Sequence, residues 1–379
     1  MTGNERFNAV IDGKKPDKPP IYFTAVACTV ASEILGYEAH TGTDSLHFKE
    51  ELALFYGEQA HREFEEKHLD DVTRLWKILD VDVVREVWRS KMKPSKRLDE
   101  YTLLFGDENN EYMVKRFFPE SQTYGVLKNT YRQPDSSELA EKLEHELAET
   151  PELPIMPGKK TLPGSVQKLF TRMGDNYGRI VSGGSLGFSI YNPNWLELLV
   201  YEPELVERYL LRHARRECQM IKNIAAQGYR WFSGGGDFAG NNGPFISPQS
   251  FREVFLRPIK LMADTCAELG AVYCYRSDGN LWPVFDDMFK TAGVQAYGEV
   301  DRDASMKVGA VLERCPHLIV LGNTSSALLV NGTEKQVRED TRCQLEEAAN
   351  GRFIPGPSNA VVHGTPVRNV FAMLEELRK

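Results

Sequence analysis

No run of basic residues crosses this chain, and that absence removes a first class of function. The formal net charge is −8, so neither nucleic acid nor an anionic membrane has an electrostatic footing. Long apolar runs are missing as well. The stretch from Ile21 to Gly36 is apolar-rich, but it is short and broken by Ser32 and Glu33, which excludes it as a membrane span. The opening "MTGNERFNAVIDGKKPDKPP" lacks a basic segment followed by an apolar one, so a cytoplasmic protein is expected. The six cysteines (Cys28, Cys218, Cys266, Cys274, Cys315, Cys343) form no CxxC pair, and reduced thiols are expected rather than disulfide staples. HExxH and GxSxG are absent. "SGGGDFAGNNG" misses the dinucleotide fingerprint because Ala239 stands where the last glycine belongs.

What is present suits a globular protein with a sizeable core: 41% of residues are hydrophobic and 26% charged. Eight short β-rich runs stand out: 21–26, 81–87, 178–184, 229–235, 272–277, 294–300, 318–323 and 352–356. Helix-compatible stretches separate them. One begins at Ser247 with Pro248 in the first turn and stops at Gly270; another opens at Thr333 and closes at Gly351. Eight strands with intervening helices predict a (β/α)8 TIM barrel, although an open doubly wound sheet accepts the same pattern. The pattern over 27–80 is helical and is expected to cover one end of the barrel. Within 89–150, an expected insertion, "YTLLFGDENNEYMVKRFF" alternates on both sides of "GDENNE" and predicts a β-hairpin. The whole chain, 1–379, is read as one barrel domain.

In such a fold the catalytic groups stand on loops at the C-terminal ends of strands. Those tails hold Asp237, Asn241, Arg276, Asp278, Asn280, Glu299, Asp301, Asn323, Asn359 and His363, a polar set gathered from distant positions. For Asn241, Asn242 and Asp301 ordinary turn chemistry suffices. Asp237 and the Arg276/Asp278 pair are stronger candidates, because charges adjoining an apolar strand seldom face inward unpaired. Asp237, Asp278 and Glu299 are the candidate acids. If two of them meet, repulsion raises one pKa and keeps that group protonated near neutrality. Cys274 is read as a buried structural thiol. Tyr22, Phe23, Trp231, Tyr275 and Trp282 are candidates for an aromatic wall.

"GGGDFAGNNGPFISPQSFREVFLRPIK", "YRSDGNLWPVFDDMFKTAGVQAY", "LIVLGNTSSALLVNGTEKQVRED" and "FIPGPSNAVVHGTPVRNVFAMLEE" resemble the uroporphyrinogen decarboxylase superfamily, which includes corrinoid-dependent methyltransferases. The resemblance is dense after about residue 178 and implies the barrel fold. The decarboxylase's arginine-rich stretch after its first strand is replaced by "TAVACT" (24–29), so porphyrin decarboxylation is not expected. The thiol methyltransferases of the superfamily hold zinc with His-x-Cys and a later Cys. Here Arg276, Asp278 and Pro357 stand at or near those places, and a guanidinium has no lone pair to offer a metal. Zinc would have to enter through carboxylates alone, and the identity of any metal stays open. "YRSDGN" is similar to the "HSDGN" of the branch that lifts a methyl group from a methoxylated compound, with arginine at the histidine.

The resemblance therefore implies methyl transfer from a small O-methyl donor, such as a methoxylated aromatic, to a corrinoid carried by a partner protein. In that chemistry Asp237, Asp278 and Glu299 are the catalytic candidates. Arg276, Asn280, Asn323, Asn359 and His363 are the substrate-binding ones. Two other functions are open: a barrel decarboxylase or lyase of a small carboxylic acid, and a non-catalytic subunit that binds the corrinoid protein.

Overall fold

A computed structural model describes residues 1–149, 162–349 and 351–379. Six strands form a parallel sheet: Val181–Ser185, Trp231–Gly235, Val272–Arg276, Ala296–Gly298, Ile319–Leu321 and Arg352–Ile354, neighbours in that order. Val83–Val84 pairs in parallel with Gly178–Arg179, just before the first of the six. Tyr22 forms a parallel bridge with Val83, and its N–H donates to the carbonyl of Pro355, 3.0 Å away. Each of the eight β-rich runs thus contributes a parallel strand or bridge, and an α/β fold results.

The period of two along these strands divides their side chains between two cores. Val83, Trp231, Val272, Cys274, Ala296, Ile319 and Ile354 pack on one face, together with Phe7, Val10 and Ile11 of the helix Gly3–Ile11. Phe232, Tyr273, Tyr275 and Tyr297 belong to the other, larger core, shared with the surrounding helices. The helix Gly3–Ile11 is held at the N-terminal ends of the strands. Its Arg6 bonds Asp82 at 2.8 Å, and Arg352 Nε donates to the carbonyl of Val10 at 2.8 Å.

The expected helix from Ser247 runs to Glu268 in three pieces, Pro248–Ser250, a π-helical Phe251–Phe255 and Leu256–Glu268. Ser247 caps it by accepting the N–H of Ser250, 3.0 Å away. Thr333 and Gln336 form a reciprocal capping box at the head of Glu334–Glu347. Three helices lie within 27–80: Cys28–Leu35, Thr43–Tyr56 and Glu58–Ile78. Strands 102–106 and 112–118 pair antiparallel around "GDENNE", and 96–97 and 123–129 extend them to four strands. Thr150, the last residue of the expected insertion, lies outside the described residues. Among those residues no helix is long and apolar enough to cross a membrane.

Gly356 lies where the strand Arg352–Ile354 meets Tyr22, and a Cβ there would sit 1.8 Å from the Tyr22 carbonyl oxygen. Both partners are backbone, so neither can step aside. Gly356→Ala is expected to destabilise the fold by about 3 kcal/mol, seen as a lower urea midpoint at unchanged slope; an unchanged midpoint would mean that this seam is not close-packed.

Candidate active site

The strand Val272–Arg276 carries its small-core parity forward from Cys274 to Arg276, and Cys274 is fully buried with its thiol pushed up to about 12 by that burial. Beyond Arg276 the chain turns through Ser277, Asp278, Gly279 and Asn280. Three bonds tie this turn to its neighbours. Ser277 Oγ accepts the N–H of Phe238 at 3.0 Å, the N–H of Asn280 reaches the carbonyl of Gly240 at 3.0 Å, and the N–H of Gly279 reaches Asp301 Oδ2 at 3.3 Å. Gly279 sits at φ +83, and a Cβ there would meet the carbonyl oxygen of Ala239 at 2.4 Å. Only glycine fits both conditions.

This stitching brings three acids together. One oxygen from each of Asp237, Asp278 and Glu299 lies within 4.8 Å of the other two. They come from loops after three different strands. Glu299 is held at φ 63, a left-handed conformation uncommon for a residue with a side chain. Each carboxylate has its own donor. Arg276 Nη2 donates to Glu299 Oε1, Asn359 Nδ2 donates to Asp278 Oδ2 at 2.9 Å, and Tyr191 donates its hydroxyl to Asp237 Oδ2 at 2.8 Å. The bond to Asp237 pushes the Tyr191 hydroxyl up to about 12. Burial, then the negative charges of Glu299 and Asp237, push Asp278 up to about 7, against the pull of Asn359. Asp278 is thus the acid of the three whose proton is held closest to neutral pH.

Beside the acids a narrow cleft is lined by Tyr22, Thr24, Ser233, Arg276, Glu299 and Pro357, among others. A wider cleft lies between the helix Glu58–Ile78 and residues 164–169. Its charges pair with one another, Arg89 with Glu65 at 3.3 Å and Lys168 with Glu66 at 3.2 Å. Near it Glu50, His61 and Glu65 also approach within 4.8 Å, with Arg89 Nη1 3.2 Å from Glu50. No sequence spacing announced that group.

The structure brings Asp237, Arg276, Asp278, Glu299 and Asn359 into one place. The other three expected ligand-binding residues have local work. Asn323 is fully buried at φ 121, and its amide donates to the carbonyls of Val300 and Met306, at 2.9 and 3.0 Å. With both amide hydrogens committed to backbone, Asn323 has none to offer a substrate. Asn280 accepts the N–H of Trp282 at 3.0 Å within its own turn. His363 is exposed, with Nδ1 3.0 Å from Thr29 Oγ1. Of the aromatics, Tyr22 reaches the cleft, while Phe23, Trp231 and Tyr275 are buried in packing. Tyr191 stands just beyond the strand Val181–Ser185, with nothing in its type to separate it from other surface tyrosines.

The shift of Asp278 has a sign that stability can read. The folded protein holds this proton more tightly than the unfolded chain, where aspartate titrates near 3.8. Its contribution to stability is fully present below ~pH 4 and is lost as pH rises through about 7. Asp278→Asn is expected to raise the melting temperature relative to wild type at pH 8 but not at pH 4. An equal difference at both pH values would exclude the shift.

None of the curated proteins matches this sequence. Among solved structures, a methyltransferase from Methanosarcina mazei superposes with a TM-score of 0.61 at 14% identity, covering 100% of this chain and 98% of that one. A Listeria monocytogenes protein provisionally assigned as a vitamin-B12-independent methionine synthase gives a TM-score of 0.49 at 12% identity, over 96% and 98%. At these identities the likeness to the Methanosarcina protein is one of fold. Residues 183–379, just over half of the sequence and the part that carries the acid cluster, match the uroporphyrinogen decarboxylase (URO-D) family, and the chain belongs to that family.

Proposed function

We propose that this protein is a methyltransferase that moves a methyl group from a small O-methyl donor to a corrinoid protein, with Asp278 as the general acid. The observation that carries this reading is the convergence of Asp237, Asp278 and Glu299 within 4.8 Å, with Asp278 pushed up to about 7. An ether oxygen is a poor leaving group unless it is protonated as its bond to the methyl carbon breaks. An acid whose pKa lies near the working pH suits that task, since both protonation states are accessible in turnover. The fold shared with a Methanosarcina methyltransferase is compatible with it. With this reading goes a closed (β/α)8 barrel over the whole chain, supported by the two contacts of Tyr22.

The corrinoid, on its partner protein, would supply the nucleophile that takes the methyl group. This chain's residues handle the departing oxygen. As the methyl–oxygen bond breaks, its electron pair goes to oxygen and the proton of Asp278 follows. Asp278 is left as a carboxylate and recovers a proton from solvent. Glu299, fixed by Arg276, and Asp237, fixed by Tyr191, keep negative charge beside Asp278 and hold its pKa high. Zinc would find neither of the ligands on which protein zinc sites chiefly rest, thiolate and imidazole: the cluster offers three carboxylates, each with one oxygen bonded to Arg276, Tyr191 or Asn359 and one left over. No step is routed through a metal.

Purified protein incubated with reduced corrinoid protein and a panel of methyl ethers is expected to give methylated corrinoid, followed by absorbance. No signal with any donor would reject methyl transfer. Asp278→Asn should lower kcat by ~10²- to 10⁴-fold. The wild-type rate should fall as pH rises above about 7. Asp237→Asn removes a neighbouring negative charge, lowers the Asp278 pKa and should move that descending limb to lower pH; an unmoved limb would separate Asp237 from the proton.

A further inference from the structure

Two guanidinium groups stand at the ends of parallel strands on the small-core face, and they are in opposite states. Arg276 is paired with Glu299. Arg85 is two residues beyond Val83, a member of the small core, and so carries the same parity. It is only 8% exposed. Among the described residues it has no carboxylate partner: Nε donates to the carbonyl of Glu86 at 3.3 Å and Nη1 to the hydroxyl of Tyr22 at 3.4 Å. Both acceptors are neutral. Tyr22 itself lines the cleft with Arg276 and Glu299.

A guanidinium offers five N–H donors and never loses its charge at physiological pH. Buried with two long bonds to neutral oxygens, it lacks, among the described residues, the charged partner that usually offsets the desolvation of a buried cation. A carboxylate arriving from the cleft would offset it, through the paired N–H···O geometry that arginine favours. The charges nearby allow such a visitor. Glu299 is ion-paired with Arg276, whose guanidinium lines the same cleft, and the pKa of Asp278 is pushed up to about 7.

We propose that Arg85 anchors a carboxylate of the substrate, so that the protein acts on a small acid bearing a methyl ether and discriminates against neutral ethers. Arg276, the residue the sequence offered for this task, instead holds Glu299. The assignment deepens the methyl-transfer reading and rests on it for the ether group, but the carboxylate contact can be measured without turnover.

The test is calorimetric binding of methoxyacetate and 4-methoxybenzoate, each against its own uncharged amide, to the full chain. Wild type should bind at least one acid at least tenfold more tightly than its amide. Arg85→Gln should erase that preference, and Arg85→Lys, which keeps the charge, should retain part of it; melting temperatures check that each variant folds. If Arg85→Gln does not fold, the acid-to-amide ratios of wild type and Arg85→Lys decide. Binding of neither form, equal binding of acid and amide by wild type, or a preference that survives Arg85→Gln would overturn the proposal. Methyl-transfer assays on the same compounds separate the two ideas. Acid-selective binding without methylated corrinoid would leave the anchor and sink methyl transfer, whereas turnover of acid and amide at equal KM would do the reverse.

Discussion

Three carboxylates confined within 4.8 Å repel one another, and the rest of the site is organised around that repulsion. Like charges at such separations, partly shielded from water, cannot all be ionised cheaply. The protein deals with each differently. Glu299 receives a cation, Asp237 an exposed tyrosine hydroxyl and Asp278 only a neutral amide. Asp278, with only a neutral amide beside it, is the one whose pKa burial and its charged neighbours push up, to about 7. Asp237 and Asp278 are chemically identical side chains, so surroundings alone set them apart.

The scaffold makes this possible because it separates two jobs by parity. Along each parallel strand one set of side chains builds the small core and the alternate set packs under the helices. The loops that follow are then fixed to one another by hydrogen bonds between 237–240, 277–280 and 299–301. The strained backbone of Glu299 is tolerated because those surroundings over-determine it.

Much of this was legible in the sequence. The strand positions follow from short β-branched and aromatic runs at regular spacing, and the helix starts from Ser247 and Thr333. The acid trio was legible for a reason of the same kind: strand tails converge whatever their order in the chain. What sequence does not show is how far a polar side chain is already occupied. Asn323 and Asn359 look alike in sequence, yet one spends its amide on backbone carbonyls and the other on Asp278. Arg85 left a faint trace, a charge at an inward position of "VDVVREV", but that it meets no carboxylate among the described residues shows only in three dimensions. Tyr191 left none.

The helix Gly3–Ile11 has one more implication. Its Phe7 packs against Trp231, ring centroids 5.1 Å apart, at the end of the strands opposite the acids. That floor covers the far ends of the strands. In the proposed methyl transfer, donor and corrinoid protein would then share the acids' side, the small molecule entering first and the carrier protein settling over it.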